Sequence, residues 1–300
     1  MVKTYELERS FAVATAQEAG ALLMKYYGQQ NAPQWKSSTN FKTAVDDMSD
    51  KLIRQAITGL FPDDDIYSEE VDPLDRDRER KWVFDPLDGT LPYTTHQNNN
   101  FSVAMALIEG STPVVGVVFM PARNEMYVAV SGQGAFCYDG NCNESILVSS
   151  QDDVNKTIIG LDDGKEISGW FKRSTLSPLL ARMSAPDGAS CFLRTGCASV
   201  PLCHVASGRP NISQPLVGRL DAYIAAALEP WDMTAEVVIA REAGGKVTHL
   251  SGKEWEFSRL YQGDPSILAA SPTLHEKLLN LLEREIPEFY RDNDHFIRKK

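Results

Sequence analysis

Residues 82–90 place two carboxylates, a glycine and a hydroxyl directly after an apolar run, in the order Trp-Val-Phe-Asp-Pro-Leu-Asp-Gly-Thr. The apolar run predicts a buried strand, and Asp85 and Asp88 flank a Pro-Leu turn. Both carboxylates and the Leu87 carbonyl can therefore face one pocket, while Gly89 lets the backbone approach a ligand closely. This set of oxygens suits Mg²⁺, which binds carboxylates and carbonyls and often bridges to phosphate. A surface turn with solvated charges is the alternative, although such a turn does not require the apolar run.

Three more acids lie where predicted elements begin or end. Asp46 lies at the start of a predicted helix, Glu69 follows a short predicted strand, and Asp232 lies at the start of another predicted helix. For Asp46 and Asp232, capping of the backbone NH groups of a helix is the local alternative. Capping alone does not explain five acids at element ends, and if these ends meet, the carboxylates stay ionised only with bound cations. Two or three Mg²⁺ ions would polarise a phosphoryl group and lower the pKa of a bound water.

Composition indicates a soluble globular protein, and its negative charge means that an anionic small substrate would need metal ions to offset the repulsion. The chain has 300 residues, of which 43% are hydrophobic, and a formal net charge of -11. The negative charge argues against a nucleic-acid partner, because a phosphate backbone is bound through surplus Lys and Arg. No apolar stretch approaches the roughly 18 residues that a membrane span needs, so we expect no membrane association and a cytoplasmic location. The five cysteines include no Cys-x-x-Cys pair and indicate neither a disulfide framework nor a zinc site.

The order of predicted elements indicates an α+β protein of two halves, 1–150 and 151–300, divided by a composition shift near 149–156. The first half carries Asp46, Glu69 and the segment 85–90, and the second carries Asp232 and the loops on the substrate side. Predicted helices cover 4–27, 51–57, 170–183, 229–244 and 273–286. Predicted strands cover 66–68, 82–84, 101–108, 114–120, 125–130, 158–161, 191–194, 220–224, 247–250 and 267–270, with an antiparallel meander between 101 and 130.

Two glycine-containing turns need separate interpretation. Gly132-Gln133-Gly134 follows a strand but opens no helix, so a turn is favoured over a dinucleotide-binding loop. Thr195-Gly196-Cys197-Ala198-Ser199 is a turn of small residues that enters another predicted helix. A helix N-terminus of this kind can hold an anion.

Four motifs follow one another along the chain: Glu69-Glu70 after a strand, Asp-Pro-Leu-Asp-Gly-Thr at 85–90, Trp231-Asp232, and Ala-Gly-Gly at 243–245. This arrangement resembles the inositol monophosphatase superfamily of Mg²⁺-dependent, lithium-sensitive phosphatases, which includes 3'(2'),5'-bisphosphate nucleotidases. The resemblance implies a layered αβαβα sandwich of the inositol monophosphatase and fructose-1,6-bisphosphatase type, assembled as a homodimer. It also implies hydrolysis of a small phosphorylated metabolite, an inositol, cyclitol or sugar phosphate, by attack of a metal-activated water.

The resemblance further implies a role for each matching residue. The cofactors would be two or three Mg²⁺ ions, held by Glu69, Asp85, the Leu87 carbonyl, Asp88 and Asp232. The catalytic residues would be Asp46, Thr90 and Glu69, with Asp46 and Thr90 orienting or deprotonating the attacking water. The substrate and its phosphate would contact Gly89, Thr90, Gly196, Cys197, Ala198 and Asp232.

Three departures from the superfamily pattern concern the substrate. Pro92 stands where members often have Asn, Ala225 stands where inositol monophosphatases typically carry a Glu that grips substrate hydroxyls, and 210–219 resembles an insertion. Plain inositol monophosphate is therefore one of several candidate substrates. A 3'(2'),5'-bisphosphate nucleotidase and a sugar bisphosphatase are alternatives within the same chemistry, and a noncatalytic, metal-binding family member is an alternative from another class.

Overall fold

A computed structural model describes residues 3–29, 34–35, 41–70, 78–139, 143–162, 191–208, 220–225, 228–257 and 266–285. The helices are α1 (Glu6–Tyr26), α2 (Ala44–Leu60), α3 (Thr90–Thr95), α4 (Ser199–Ser207), α5 (Thr234–Glu242) and α6 (Pro272–Glu285), with short 3-10 helices at Val154–Lys156 and Pro230–Asp232. The strands of the first half are β1 (Gln34–Trp35), β2 (Phe41–Lys42), β3 (Asp65–Ser68), β4 (Arg80–Asp88), β5 (Ser102–Glu109), β6 (Thr112–Met120), β7 (Glu125–Val130), β8 (Ala135–Tyr138) and β9 (Asn143–Ser145). The remaining strands are β10 (Ile158–Asp162), β11 (Cys191–Leu193), β12 (Ala222–Ala225), β13 (Lys246–Thr248) and β14 (Ile267–Ala270).

The strands from β3 to β9 form one seven-stranded sheet in sequence order. Only β3 and β4 pair in parallel, and the later neighbours are antiparallel, which confirms the predicted meander. Both faces of this sheet are buried, so its central strands are almost wholly apolar. Side chains such as Met105 on one face pack with α1 and α2. Neighbours such as Ala106 pack on the other face with α4 and α5.

A five-stranded mixed sheet has the order β11-β10-β12-β14-β13. Strand β12 shows how it is covered: Tyr223 and Ala225 belong to the apolar cluster that contains α4 and α5, whereas Ala222 and Ile224 pack with α6. The layers are therefore α1 with α2, the seven-stranded sheet, α4 with α5, the five-stranded sheet, and α6. This order confirms the predicted αβαβα sandwich. The proposed division near residue 150 falls between the two sheets.

The predicted helix over 229–244 is wrong in one respect, because it is not continuous. A 3-10 turn at Pro230–Asp232 is separated from α5 by Met233, whose φ of -147° and ψ of -17° are not helical. Pro230 has no backbone NH and starts the turn, and the Asp232 carboxylate accepts the Glu229 NH at 2.8 Å, which tightens it. The other helices predicted at 4–27, 51–57 and 273–286 are confirmed. The helix predicted over 170–183 and the insertion at 210–219 lie outside the described residues.

The glycine pair at 132 and 134 forms a turn, as predicted, and the structure shows what the turn binds. The NH groups of Gly132 and Gly134 donate to the two carboxylate oxygens of Glu242 at 2.9 and 2.8 Å. Glu242 is the last residue of α5, so this contact ties the meander to that helix.

Within the described part of the chain, no helix combines the length and apolar composition that crossing a bilayer requires.

Close packing of β6 on α5 gives a test of the layered core. A Cβ on Gly116 would lie 2.3 Å from the Ala235 carbonyl oxygen, so Gly116→Ala should lower the free energy of unfolding by about 2 kcal/mol. Gly59, in α2, has open space around the corresponding position. Gly59→Ala should therefore leave stability unchanged or raise it by up to about 1 kcal/mol. Urea unfolding measures both, and equal stability of the two variants would contradict the packing described.

Candidate metal centre

The start of α2 positions Asp46. Thr43 precedes the helix, and its NH and hydroxyl donate to Asp46 Oδ2 at 2.8 and 2.6 Å. The other oxygen, Oδ1, accepts the Thr90 hydroxyl at 3.2 Å. Asp46 is thus both part of a helix-capping box and a neighbour of Thr90. The two interpretations of this acid are compatible, because each uses a different oxygen.

The end of β4 positions Asp85 and Asp88 through a β-bulge. Asp85 pairs with Ala104 and Asp88 pairs with Ser102, with a register irregularity between them. The predicted Pro-Leu turn is therefore a bulge inside a strand that continues to Asp88, because a proline cannot donate a ladder hydrogen bond. The Leu87 NH instead donates to Asp85 Oδ1 at 2.9 Å, and the Leu87 carbonyl accepts the Thr90 hydroxyl at 3.3 Å.

The N-terminus of α4 holds the Asp88 carboxylate. Asp88 Oδ2 accepts the Ser199 NH at 2.7 Å and the Cys197 thiol at 2.9 Å, and Oδ1 accepts the Ala198 NH at 3.3 Å. The turn at 195–199 does bind an anion at its helix N-terminus, and that anion is Asp88. Cys197 and Ala198, predicted as substrate contacts, thus donate to a carboxylate of the chain itself. Gly196 lies beside Pro92: a Cβ built on Gly196 would lie 3.6 Å from the Pro92 Cδ.

Gly89 connects β4 to α3 where no other residue fits. Its φ is 86°, and a Cβ there would lie 2.5 Å from the Asn100 carbonyl oxygen and 3.0 Å from the Cys197 Cβ. The backbone of 88–90 therefore packs directly against the 195–199 turn. The helix that begins at Thr90 places the Gly89 and Thr90 NH groups at its N-terminus, beside the Asp46 contact.

Three carboxylates converge at this point. Asp85, Asp88 and Asp232 each offer one oxygen, and these three oxygens lie within 4.8 Å of one another. Burial raises the pKa of Asp85 well above its usual range, and the charges of Glu69, Asp88 and Asp232 raise it further. Burial also raises the pKa of Asp46, with Glu69 adding to the effect while hydrogen bonds from Thr43 and Thr90 oppose it. All five acids predicted as site residues are thus electrostatic neighbours.

The donor set fits a hard divalent cation. Three carboxylates meet in a largely buried place, and every donor among them is an oxygen. Burial first and the neighbouring charges second raise the pKa of Asp85, so a bound cation would stabilise the ionised cluster. Soft-metal ligands take no part in the cluster of Asp85, Asp88 and Asp232.

The sequence did not predict two polar residues near the cluster. Ser199 donates to Asp88, and the buried Glu236 accepts the Ser199 hydroxyl. Each lies within a helix whose local sequence pattern does not indicate a contact near the acidic cluster.

Comparison with known proteins identifies the class. The model of the inositol monophosphatase family matches residues 5–286, so the chain belongs to that family and the resemblance is confirmed. The chain is 31% identical over 281 residues to the Nus factor SuhB of Pasteurella multocida, with 91% of this chain and 95% of the relative covered. It is 29% identical over 283 residues to a fructose-1,6-bisphosphatase/inositol-1-monophosphatase of Thermotoga maritima, with 93% and 96% covered. The solved structure of the extragenic suppressor protein suhB from Bartonella henselae matches with a TM-score of 0.78 at 26% identity, covering 92% of this chain and 98% of that one.

The raised pKa of Asp85 has a consequence for the stability of the metal-free protein. A carboxyl that holds its proton more tightly when folded destabilises the fold as the pH rises above its ordinary pKa of 3.8. Asp85→Asn cannot ionise but keeps an oxygen for the Leu87 NH. In EDTA, the variant should gain stability relative to wild type as the pH rises above about 4, because only the wild-type carboxyl is then disfavoured in the folded state.

Urea unfolding across this pH range measures the effect. Asp63→Asn is the matched control, because the Asp63 side chain is 98% exposed. A variant at position 85 that is less stable than wild type in EDTA near pH 8 would contradict the electrostatic description of the cluster.

Proposed function

We propose that this protein is a Mg²⁺-dependent phosphomonoesterase that hydrolyses a small phosphorylated metabolite, an inositol, cyclitol or sugar phosphate. The observation that carries the proposal is the convergence of Asp85, Asp88 and Asp232 within 4.8 Å beside the Thr90–Asp46 hydrogen bond. Membership of the inositol monophosphatase family and the name of the Thermotoga maritima relative support it. A phosphate ester is itself an anion, so it would bind beside these buried carboxylates only if cations offset their negative charge.

The proposed cofactors are two or three Mg²⁺ ions. Glu69, Asp85 and the Leu87 carbonyl would hold one ion, and Asp85, Asp88 and Asp232 would hold another. When bound, Mg²⁺ polarises a phosphoryl oxygen, lowers the pKa of a coordinated water and stabilises the leaving oxygen. Asp85 would serve both ions, which agrees with its place among the other three charges.

The chain itself would orient the nucleophile and the phosphate. Thr90 Oγ1 lies between Asp46 Oδ1 and the Leu87 carbonyl oxygen, at 3.2 and 3.3 Å, so its hydroxyl is held beside the proposed metal ligands. Asp46 would accept the proton of the attacking water, directly or through Thr90, and its raised pKa makes it a better base than a solvated carboxylate. The NH groups of Gly89 and Thr90, at the start of α3, would bind the phosphate.

The substrate side of the site favours a departure from simple inositol monophosphate. Pro92 is buried beside Gly196, and Ala225 is wholly buried at the end of β12. The side chains of both are apolar, so neither offers a polar group to a hydroxyl. A sugar bisphosphate, or a 3'(2'),5'-bisphosphate nucleotide, is therefore an alternative substrate of the same chemistry. Gly196, Cys197, Ala198 and Asp232 remain the proposed substrate contacts.

The name of the Pasteurella multocida relative supports a second candidate function. That relative is called a Nus factor, and with 31% identity to it a noncatalytic role is the second candidate for this chain. Homodimer assembly, lithium sensitivity and the absence of a nucleic-acid partner stay predictions. Conversion of substrate separates the two candidates, because a noncatalytic role requires no turnover.

Phosphate release tests the proposed function and the substrate together. The panel contains inositol monophosphates, 3'-phosphoadenosine 5'-phosphate, fructose 1,6-bisphosphate and simple sugar phosphates, each with Mg²⁺, with EDTA and with Mg²⁺ plus Li⁺. We expect release from at least one compound that requires Mg²⁺ and is inhibited by Li⁺. Absence of release from every compound would favour the noncatalytic alternative.

Single substitutions in the cluster should remove activity and leave the fold intact. Asp232→Asn and Asp88→Asn should each lower kcat/KM by more than about 100-fold, because each removes a proposed metal ligand. Both variants should keep the far-UV circular dichroism spectrum of the wild type, since loss of one acid relieves repulsion. Asp63→Asn should retain full activity. Full turnover by the variants at 88 and 232 would eliminate the metal assignment.

A further inference from the structure

Glu236 is an acid inside the core that the proposed chemistry does not use. It lies on α5, four residues after Asp232, and is completely buried. Its Oε1 accepts the Ser199 hydroxyl at 2.5 Å, and its Oε2 has no hydrogen-bond partner within the described residues. Burial of a carboxyl with one satisfied oxygen is costly, so packing alone does not account for an acid at this position.

Ser199 connects this acid to the metal centre. The Ser199 NH donates to Asp88 Oδ2 at 2.7 Å while its hydroxyl donates to Glu236. As the first residue of α4, Ser199 thus makes one contact with β4 and another with α5. The position of its NH depends on the anchoring of its side chain, because both belong to the residue that begins the helix.

The electrostatics around Glu236 indicate that it acts through its hydrogen bond to Ser199 rather than through a negative charge. Burial raises the pKa of Glu236 to about 8, with Asp88 and Asp232 adding to the effect and the Ser199 hydrogen bond opposing it. The Cys203 thiol, on α4, is a further titratable neighbour. A carboxyl that is mostly protonated at neutral pH adds little negative charge to the cluster, yet its oxygen still accepts a hydrogen bond.

We propose that Glu236 is a positioning residue for the metal centre: it anchors Ser199, whose NH holds Asp88 in the orientation that completes the site with Asp85 and Asp232. The inference rests on the proposed function, since it assigns Asp88 as a metal ligand. It names a residue that acts through two hydrogen bonds and touches neither substrate nor metal. A neutral side chain of similar size that keeps an acceptor should therefore replace it.

A pair of substitutions separates the acceptor from the charge. Glu236→Gln and Glu236→Met both remove the charge and are similar in size, but only Gln keeps an oxygen for the Ser199 hydroxyl. Isothermal titration calorimetry of the metal-free full chain with Mg²⁺ should give an affinity within about 2-fold of wild type for Gln. The same experiment should give an affinity about 10-fold weaker for Met.

Ser199→Ala provides the second arm and remains informative if the Met variant does not fold. It should weaken Mg²⁺ binding about as much as Glu236→Met, and the double variant should be no weaker than either single one. Equal affinities of the Gln and Met variants, or independent effects of positions 199 and 236, would overturn the proposal. So would a fall in melting temperature at unchanged Mg²⁺ affinity, which would indicate a purely structural role.

The same variants distinguish this inference from the proposed function. If the wild type binds Mg²⁺ and the variants change its affinity as expected, but the wild type releases no phosphate, the proposed phosphatase activity would be overturned. The role of Glu236 would then still stand. Wild type that is an active phosphatase, with unaltered Mg²⁺ binding in Glu236→Met and Ser199→Ala, would overturn the role of Glu236 alone.

Discussion

Repulsion among buried carboxylates is the constraint on which the centre of this structure depends. Asp85 is completely enclosed and faces the charges of Glu69, Asp88 and Asp232. Neighbouring donors reduce the repulsion: the Leu87 NH binds Asp85, and the Ser199 NH binds Asp88. Hydrogen bonds of this kind stabilise each carboxylate singly but leave the sum of the charges unchanged. The proposed pair of divalent cations would offset the four charges of Asp85, Glu69, Asp88 and Asp232, and would account for so many acids in one part of the core.

The layered fold brings the acids to one place from distant parts of the chain. The seven-stranded sheet supplies Asp85 and Asp88 from the bulged end of β4, and α2 supplies Asp46. The five-stranded sheet leads, through β11 and β12, to the 195–199 turn and to Asp232. The apolar cluster of α4 and α5 joins both sheets, so it sets the distance across which these groups meet. Small residues such as Gly89 and Gly116 allow the close approach of backbone segments that this arrangement needs.

Much of the site could be predicted from the sequence because its acids lie next to local signals. The apolar run before Asp85 indicated the strand, and Asp46 lies beside Asp47 at a predicted helix start, where acids are favoured. The order of the two sheets followed from family resemblance rather than from periodicity. Local patterns could not indicate that the Ser199 NH meets Asp88, since the two residues are 111 positions apart. They also could not reveal the burial of Glu236, because that burial depends on packing against other layers.

The most direct measurement of the central claim is a crystal structure of the full chain grown with Mn²⁺, in which anomalous scattering locates the ion. We expect at least one anomalous peak with oxygens of Asp85, Asp88 and Asp232 in its coordination sphere, at roughly 2.0 to 2.4 Å. A structure that shows these three carboxylates without a peak at saturating Mn²⁺, or with peaks only elsewhere, would contradict the claim that the acidic cluster is a metal centre.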